Sequence, residues 1–161
     1  MRVLLLAAGV LAVPALVLAQ APTAGASQHA IVVAPGAITW GAAPAELPAG
    51  AKAAILDGDP TQPGAFTLRL RLPDGYTIPP HFHPVAEHVT VIQGTFMVGM
   101  GDRLDPSKFA DLPTGTFGFI PPGMKHFARA KGEVTIQLHG TGPWGLTYVN
   151  PADDPRNRPN P

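Results

Sequence analysis

The sequence predicts an all-β domain, built as a single barrel or sandwich. Its 161 residues include 18 glycines and 20 prolines, a composition that favours short strands joined by turns over long helices. Eight or more short apolar runs are separated by turn residues, and none of them sustains the period of an amphipathic helix. No internal repeat is visible, so we expect one barrel rather than two.

The predicted strands begin after an N-terminal stretch of small residues. The run 49–60 contains a strand that ends at an Asp57-Gly58 turn. The run 65–72, AFTLRLRL, alternates between apolar side chains on one face and Thr or Arg on the other. This alternation is typical of a half-buried antiparallel strand. Two further strands, 87–94 and 95–101, are expected on either side of a turn at Gly94.

The segment 105–113 holds the only helical turn that the sequence predicts. Asp105 is placed to cap it, and Pro106 takes its first position. The remaining strands are expected in the runs 116–123, 126–130, 134–140 and 144–149. They complete the all-β series.

The N-terminus is typical of a cleavable signal peptide. Arg2 is followed by an uncharged apolar run, and Val17-Leu18-Ala19 fits a small-x-small cleavage site. An uncleaved anchor helix is the alternative, and the short run with Pro14 inside it disfavours that alternative. We therefore expect an exported protein, periplasmic or secreted, with no membrane association after cleavage. The predicted organisation is a signal peptide at 1–19, a flexible leader at 20–36, a barrel at 37–150 and a polar, proline-rich tail at 151–161 that is disordered or lies along the surface.

Charge and residue content argue against several functions. The chain has 11 basic and 11 acidic residues, so no basic surface favours a nucleic-acid partner. It has no cysteine, which excludes disulfides, thiol catalysis and thiolate metal sites. After the leader the only serine is Ser107, which argues against a serine nucleophile.

A histidine cluster carries the strongest functional signal. His81 and His83 are two apart, so on a strand both imidazoles lie on one face. The flanking prolines exclude a helix here, and Glu87 begins a second strand that can face back toward the two histidines. His126 follows a tight turn at the start of another strand. Imidazoles and a carboxylate are good ligands for a divalent first-row metal with open positions; the alternative is a set of hydrogen-bonded polar residues on a rim.

Two sequence motifs give the chain a family resemblance. The pattern of a glycine, His-x-His, a glutamate and a second glycine is followed by a glycine, Pro-x-Gly and a histidine, both without gaps. The chain therefore resembles the cupin superfamily, in particular its single-domain (cupin type-2) members, over roughly Ile38 to Asn150. The matching residues are Gly75, His81, His83, Glu87 and Gly94 in the first motif, and Gly115, Pro121, Gly123 and His126 in the second. One departure is Ala130, where the second motif usually ends with Asn.

The resemblance implies a double-stranded β-helix, or jelly roll, with a metal inside the barrel mouth. It implies one divalent first-row transition metal (Fe, Mn, Ni, Zn or Cu), held by His81, His83, Glu87 and His126. It also implies a homodimer, since cupins commonly pair barrels through outer strands.

Three further polar residues are candidates for supporting roles. His88 follows Glu87 and so points to the opposite face of its strand, where we expect an outer or interface residue. Gln137 and His139 share one face of the run 134–140, and the apolar residues share the other. If the polar face looks inward, Gln137 or His139 could orient a ligand or shuttle a proton. If the apolar face looks inward, which is the usual arrangement, both are surface residues.

The sequence leaves two classes of function open. In the first, the protein is a metal-dependent enzyme that acts on a small oxygen-containing molecule. A dioxygenase is the first expectation, with an isomerase or decarboxylase behind it. In the second, the barrel binds a metal or small ligand without turnover, as a sensor or storage module. Fold and ligands alone do not identify the substrate.

Overall fold

A computed structural model describes residues 30–157 of the chain. The predicted signal peptide at 1–19, most of the predicted leader and the last four residues lie outside the described residues. The described part contains no α-helix, which confirms the all-β prediction. No helical segment in this part is long or apolar enough to cross a bilayer.

Nine strands form the fold of the described residues. They are β1 (Gly41–Ala42), β2 (Lys52–Asp57), β3 (Gly64–Leu72), β4 (Thr77–Phe82), β5 (Glu87–Met100), β6 (Ala110–Pro113), β7 (Phe117–Ile120), β8 (His126–Gly142) and β9 (Thr147–Tyr148). Short 3₁₀ turns occupy Pro35–Ala37, Pro106–Lys108, Pro151–Asp153 and Pro155–Asn157. Every strand pairing is antiparallel.

The two longest strands, β5 and β8, hold the barrel together. They pair with each other along almost their whole length. The second half of β8 also pairs with β3, which continues through β2 to β1, and the first half of β8 pairs with β4, which continues to β9. On its other side, β5 pairs with β7 near its start and with β6 near its end. This curled arrangement is the jelly roll that the motifs implied.

Glycines in β5 and β8 join segments that the sequence analysis expected to be separate strands. The runs 87–94 and 95–101 are one strand, and 126–130 and 134–140 also belong to one strand. Gly94 has φ +81° and Gly132 has φ +74°, a conformation that only glycine adopts easily. The β5–β8 register shifts at Gln93. The glycines therefore produce an irregularity in a continuous ladder, and the prediction of a turn at Gly94 is wrong.

The core lies between the two halves of the curled sheet. The alternation predicted for 65–72 is confirmed, because its apolar side chains are buried: Phe66, Leu68, Leu70 and Leu72. They pack in one cluster with the inward residues of β5 and β8, among them Val89, Val91, Ile136 and Leu138. Burial of each such side chain contributes about 1.5–3 kcal/mol to folding. Without disulfides, this packing is the main source of stability.

The predicted helical turn is present as a 3₁₀ turn. The Asp105 side chain accepts a hydrogen bond from the Ser107 backbone N–H at 3.0 Å, and Pro106 begins the turn. The start of the predicted tail forms turns at 151–153 and 155–157. There Arg156 pairs with the carboxylate of Asp154 at 2.6 Å, which holds this part of the tail in place.

Candidate metal centre

Strand pairing brings the four predicted metal ligands to one end of the barrel. His81 lies near the end of β4, directly opposite His126 at the start of β8. His83 follows β4 by one residue, and Glu87 is the first residue of β5. His81, His83 and Glu87 are close in the sequence, and the pairing of β8 with β4 and β5 brings His126 to them.

The three histidine side chains converge on one point, and Glu87 contacts two of them. The three imidazoles offer ligand atoms that all lie within 4.8 Å of one another. The Glu87 carboxylate oxygen Oε2 lies 3.5 Å from His83 Nε2 and 3.4 Å from His126 Nε2. All four residues are buried, the most exposed being Glu87 at 8%. The alternative interpretation, a set of hydrogen-bonded polar residues on the rim of the barrel, is therefore not supported.

Main-chain carbonyls fix the orientation of each imidazole. The Nδ1 contacts are His81 to the Pro79 oxygen at 2.7 Å, His83 to the Gly145 oxygen at 2.7 Å and His126 to the Met124 oxygen at 3.0 Å. Because a carbonyl oxygen only accepts, each Nδ1 carries the proton and donates. In a neutral ring the Nε2 lone pair then remains for another partner, which is the usual state of a metal-binding histidine.

One ring nitrogen of the cluster lacks a hydrogen bond. His83 Nε2 is buried and has no hydrogen-bond partner. An unsatisfied buried polar atom costs about 1–3 kcal/mol, so it requires an explanation. A divalent cation coordinated by the cluster would satisfy this atom. Three nitrogens and one carboxylate oxygen are also a donor set that first-row divalent metals accept, so the residues present fit a metal.

The protonation states also suit a metal. Burial, together with the neighbouring His126 and His83, holds the pKa of His81 well below its usual value. Burial likewise lowers the pKa of His83. Burial acts to raise the pKa of Glu87, but the nearby His126 and His83 imidazoles outweigh it, and the pKa of Glu87 lies below its usual value. Neutral imidazoles and an ionised carboxylate are the forms that coordinate metals.

The surroundings of the cluster are apolar and tightly packed. The Trp144 ring stacks on the His83 ring, with centroids 4.6 Å apart and an interplanar angle of 21°. The free space beside the ligands measures about 20 Å³, roughly enough for one water molecule. Its other lining residues are aliphatic or aromatic. Among residues 30–157, the lining of this space therefore offers no acid or base besides the four candidate ligands.

The other polar candidates lie on the outer face of the sheet. Val134, Ile136 and Leu138 are buried, so the apolar face of this part of β8 looks inward and Gln137 and His139 point the other way. Gln137 accepts a hydrogen bond from Arg69 Nε at 3.1 Å. His139 stacks on His88, with centroids 4.9 Å apart. The alternative in which Gln137 or His139 lines the interior is thus wrong, because burying the apolar face determines which way the strand turns.

Sequence reasoning missed the backbone groups that orient the ligands. The carbonyl of Gly145 lies 62 residues from the histidine it anchors, and a carbonyl has no signature in a sequence. The Met124 carbonyl belongs to the Pro-Pro-Gly turn before His126, whose turn composition was the one available signal.

The fold and the buried cluster together define a cupin-type barrel with a candidate metal site, as the motifs predicted. Within that class, the chain belongs to the family described as a domain of unknown function (DUF4437), whose model matches residues 30–161. A search of curated proteins finds no match.

Solved structures support the same fold. The polyketide cyclase RemF from Streptomyces resistomycificus matches with a TM-score of 0.63 and 15% identity over 77% of this chain and 88% of that chain. An RmlC-like cupin from Shewanella frigidimarina matches with a TM-score of 0.52 and 16% identity over 69% of this chain and 90% of that one. A salicylate 1,2-dioxygenase from Pseudaminobacter salicylatoxidans matches with a TM-score of 0.51 and 16% identity over 65% of this chain but only 32% of that one. At these identities the similarity shows the fold alone, and the names of these proteins describe different activities.

Proposed function

We propose that this protein holds one divalent first-row metal (Fe, Mn, Ni, Zn or Cu) through His81, His83, Glu87 and His126 and acts on a small oxygen-containing molecule. The observation that carries the proposal is the buried Nε2 of His83, which has no hydrogen-bond partner, beside two further imidazoles and the carboxylate of Glu87. Four protein ligands leave positions open on a six-coordinate ion, and open positions suit a reacting molecule better than a closed structural site does.

The chain's own residues would prepare the site in three ways. Glu87 brings the only negative charge among the four ligands, which offsets part of the charge of a cation in a dry environment. The Nδ1 hydrogen bonds hold the imidazoles in place, so little reorganisation is needed on binding. Trp144 and the aliphatic lining exclude water from all but a small space. A metal bound there would supply Lewis-acid or redox chemistry toward an oxygen ligand.

We place a dioxygenase-type reaction first within the enzyme class. The pocket lining has no acid or base apart from the candidate ligands, and isomerisation requires a group that moves protons. Activation of dioxygen at a metal requires no such residue. A metal-dependent isomerase or decarboxylase is therefore the less favoured alternative within the enzyme class. The fold also occurs in a protein named as a salicylate 1,2-dioxygenase, which is compatible with this reaction.

A non-catalytic metal-binding or sensing module is the second candidate function. The specific observation in its favour is the free volume of about 20 Å³ beside the ligands. This space admits a molecule the size of water, so an organic substrate would need side chains to move. Absence of turnover with a tightly held metal would support this candidate.

Metal analysis and oxygen uptake test the proposal together. The purified mature protein should hold about one metal per chain by elemental analysis, and His83→Ala and Glu87→Gln should lose it. His88→Ala and His139→Ala are matched controls, because they remove half-buried imidazoles from the outer face and should retain the metal. Oxygen uptake is then followed with phenolic and dicarbonyl compounds. Absence of metal from the wild type, or retention by His83→Ala, would contradict the proposal.

We further propose that the chain is exported, to the periplasm or the medium, and forms a homodimer. The N-terminal sequence, with Arg2, an apolar run and a small-x-small site, supports export. The exposed side chains of Ile31, Val32 and Ile55 provide apolar surface that a second subunit could cover. N-terminal sequencing should show cleavage after Ala19. A monomer in light scattering would contradict the dimer.

A further inference from the structure

A second cavity, distinct from the candidate metal centre, opens between β6 and β7. These two short strands pair with opposite parts of β5 and do not pair with each other. The space between them measures about 440 Å³, which lies within the usual range for small-molecule sites of about 300–1,000 Å³. Its size contrasts with the space for one water at the metal centre.

The walls of this cavity are mostly apolar and include two aromatic rings. Phe117 and Phe119 line it and are 58% and 54% exposed. Aromatic side chains on a protein surface are costly to leave in water, so a pair of them beside a cavity points to a binding surface. Leu112 lines the opposite side, on β6. A flat ring is the shape that stacks on such side chains.

The lining of this cavity, as far as the described residues form it, contains one cationic side chain and no acidic one. Among residues 30–157, Lys108 is the only charged residue in the lining. Its ammonium lies 3.8 Å from the position that a Cβ would take on Gly101, just beyond the end of β5. Its charge also acts on Asp105, where it is the weakest of three influences that lower the pKa of that carboxyl, after the Ser107 hydrogen bonds. The charge within the lining is therefore positive, with Asp105 near Lys108 but outside the lining, and it favours an anionic ligand.

The free edge of β7 adds further hydrogen-bonding groups. Within the described residues β7 pairs only with β5. Every second residue of an edge strand turns its N–H and C=O away from its partner. Those N–H groups can donate to a carboxylate that Lys108 attracts.

We propose that this cavity binds a small aromatic monocarboxylate, with its ring between Phe117, Phe119 and Leu112 and its carboxylate toward Lys108. Val98 and Ile120 line both this cavity and the metal pocket, so the bound ring would lie against the partition between the two. Binding in this cavity requires no metal, so the assignment does not depend on the proposed function.

Calorimetry on the chelator-treated mature protein tests the assignment with two isosteric probes. 2-Naphthoate carries a carboxylate, and 2-naphthamide has the same shape without the charge. We expect the wild type to prefer 2-naphthoate by about fivefold, which is typical of one partly exposed charge pair. Lys108→Met should abolish that preference and leave 2-naphthamide affinity within twofold of the wild type.

A steric variant locates the binding site. Ala110 lines the cavity from β6 and is exposed, so Ala110→Trp should fill the opening without disturbing the core and weaken both probes at least tenfold. Ala65→Trp is the matched control, on an exposed position of β3 away from this cavity, and should change neither affinity.

Three results would overturn the assignment. The first is equal wild-type affinity for the two probes, and the second is unchanged affinity in Ala110→Trp. The third is binding of 2-naphthoate only when metal is restored, because the carboxylate would then be a metal ligand. If Ala110→Trp instead converts a dimer to a monomer and leaves probe binding intact, this face is covered by a second copy and the assignment also fails. Retention of metal in His83→Ala with intact naphthoate binding would reject the proposed function alone.

Discussion

Replacement of His83 by leucine should leave the stability of the metal-free protein nearly unchanged and remove most of the stabilisation that metal binding provides. In the metal-free wild type His83 Nε2 is buried without a partner, at a cost of about 1–3 kcal/mol. Leucine removes that atom and keeps an apolar contact with Trp144, whose ring stacks on His83 at 4.6 Å. It also leaves the Gly145 carbonyl without its donor, at a similar cost. The two effects nearly cancel, so the metal-free melting temperatures should lie within a few degrees.

Metal should then separate the two proteins. At a free metal concentration 1,000 times the Kd, binding stabilises the wild type by about 4 kcal/mol. That corresponds to a rise of about 12–20 °C in melting temperature for a domain of this size. If the loss of one ligand weakens binding at least ~100-fold, His83→Leu gains only about 1.4 kcal/mol at the same concentration.

Differential scanning fluorimetry after chelation, with Zn²⁺, Ni²⁺ or Mn²⁺ added back, measures both shifts. His88→Leu is the matched control. His88 also has a buried ring nitrogen without a partner, but it lies on the outer face beside His139. Its metal response should equal that of the wild type. An equal metal-induced rise in His83→Leu and the wild type would refute the reasoning.

The remaining predictions concern pH and backbone shape. In the metal-free protein, burial holds the pKa values of His81 and His83 below 6.5, so the unfolded chain binds protons that the folded chain does not; stability is full above pH 6.5 and falls below it, by up to ~1.4 kcal/mol per pH unit for each group. A urea midpoint that is unchanged between pH 7.5 and 5.5 would contradict this. Gly94→Ala should destabilise by at least ~2 kcal/mol, because φ is +81° and the new Cβ would collide with the Glu133 carbonyl oxygen. Gly115→Ala, with φ +89° and open space, should cost only about 1 kcal/mol in the same urea titration, and equal losses for the two variants would rule out the collision.

Local patterns were enough to predict the fold class and to group the candidate ligands. Alternation in 65–72 depends on a period of two along one strand, and burial of its apolar face confirmed it. The His81-x-His83 spacing puts two rings on one face for the same reason. The meeting of these residues with His126 came from the motif resemblance, and the structure places the side chains together through the pairing of β4 with β8.

Features that depend on long-range pairing could not be predicted from the sequence. Gly94 suggests a turn when its neighbours alone are considered, and it becomes a bulge only because β8 runs opposite it. The cavity between β6 and β7 exists because both strands pair with β5 and not with each other. Its residues are spread over several segments of the chain, and each segment alone is typical of an ordinary strand or turn.

The hydrogen bonds from the three imidazole Nδ1 atoms to main-chain carbonyls limit how this candidate metal centre can change during evolution. Each of these hydrogen bonds ends on a peptide oxygen, so a side-chain substitution at the residue that carries the oxygen does not remove the acceptor. Adjustment must come through loop shape. A different path of the chain around Gly145 would tilt the ring of His83 and leave every ligand atom in place. Selectivity among cations could then change gradually while all the ligands are retained.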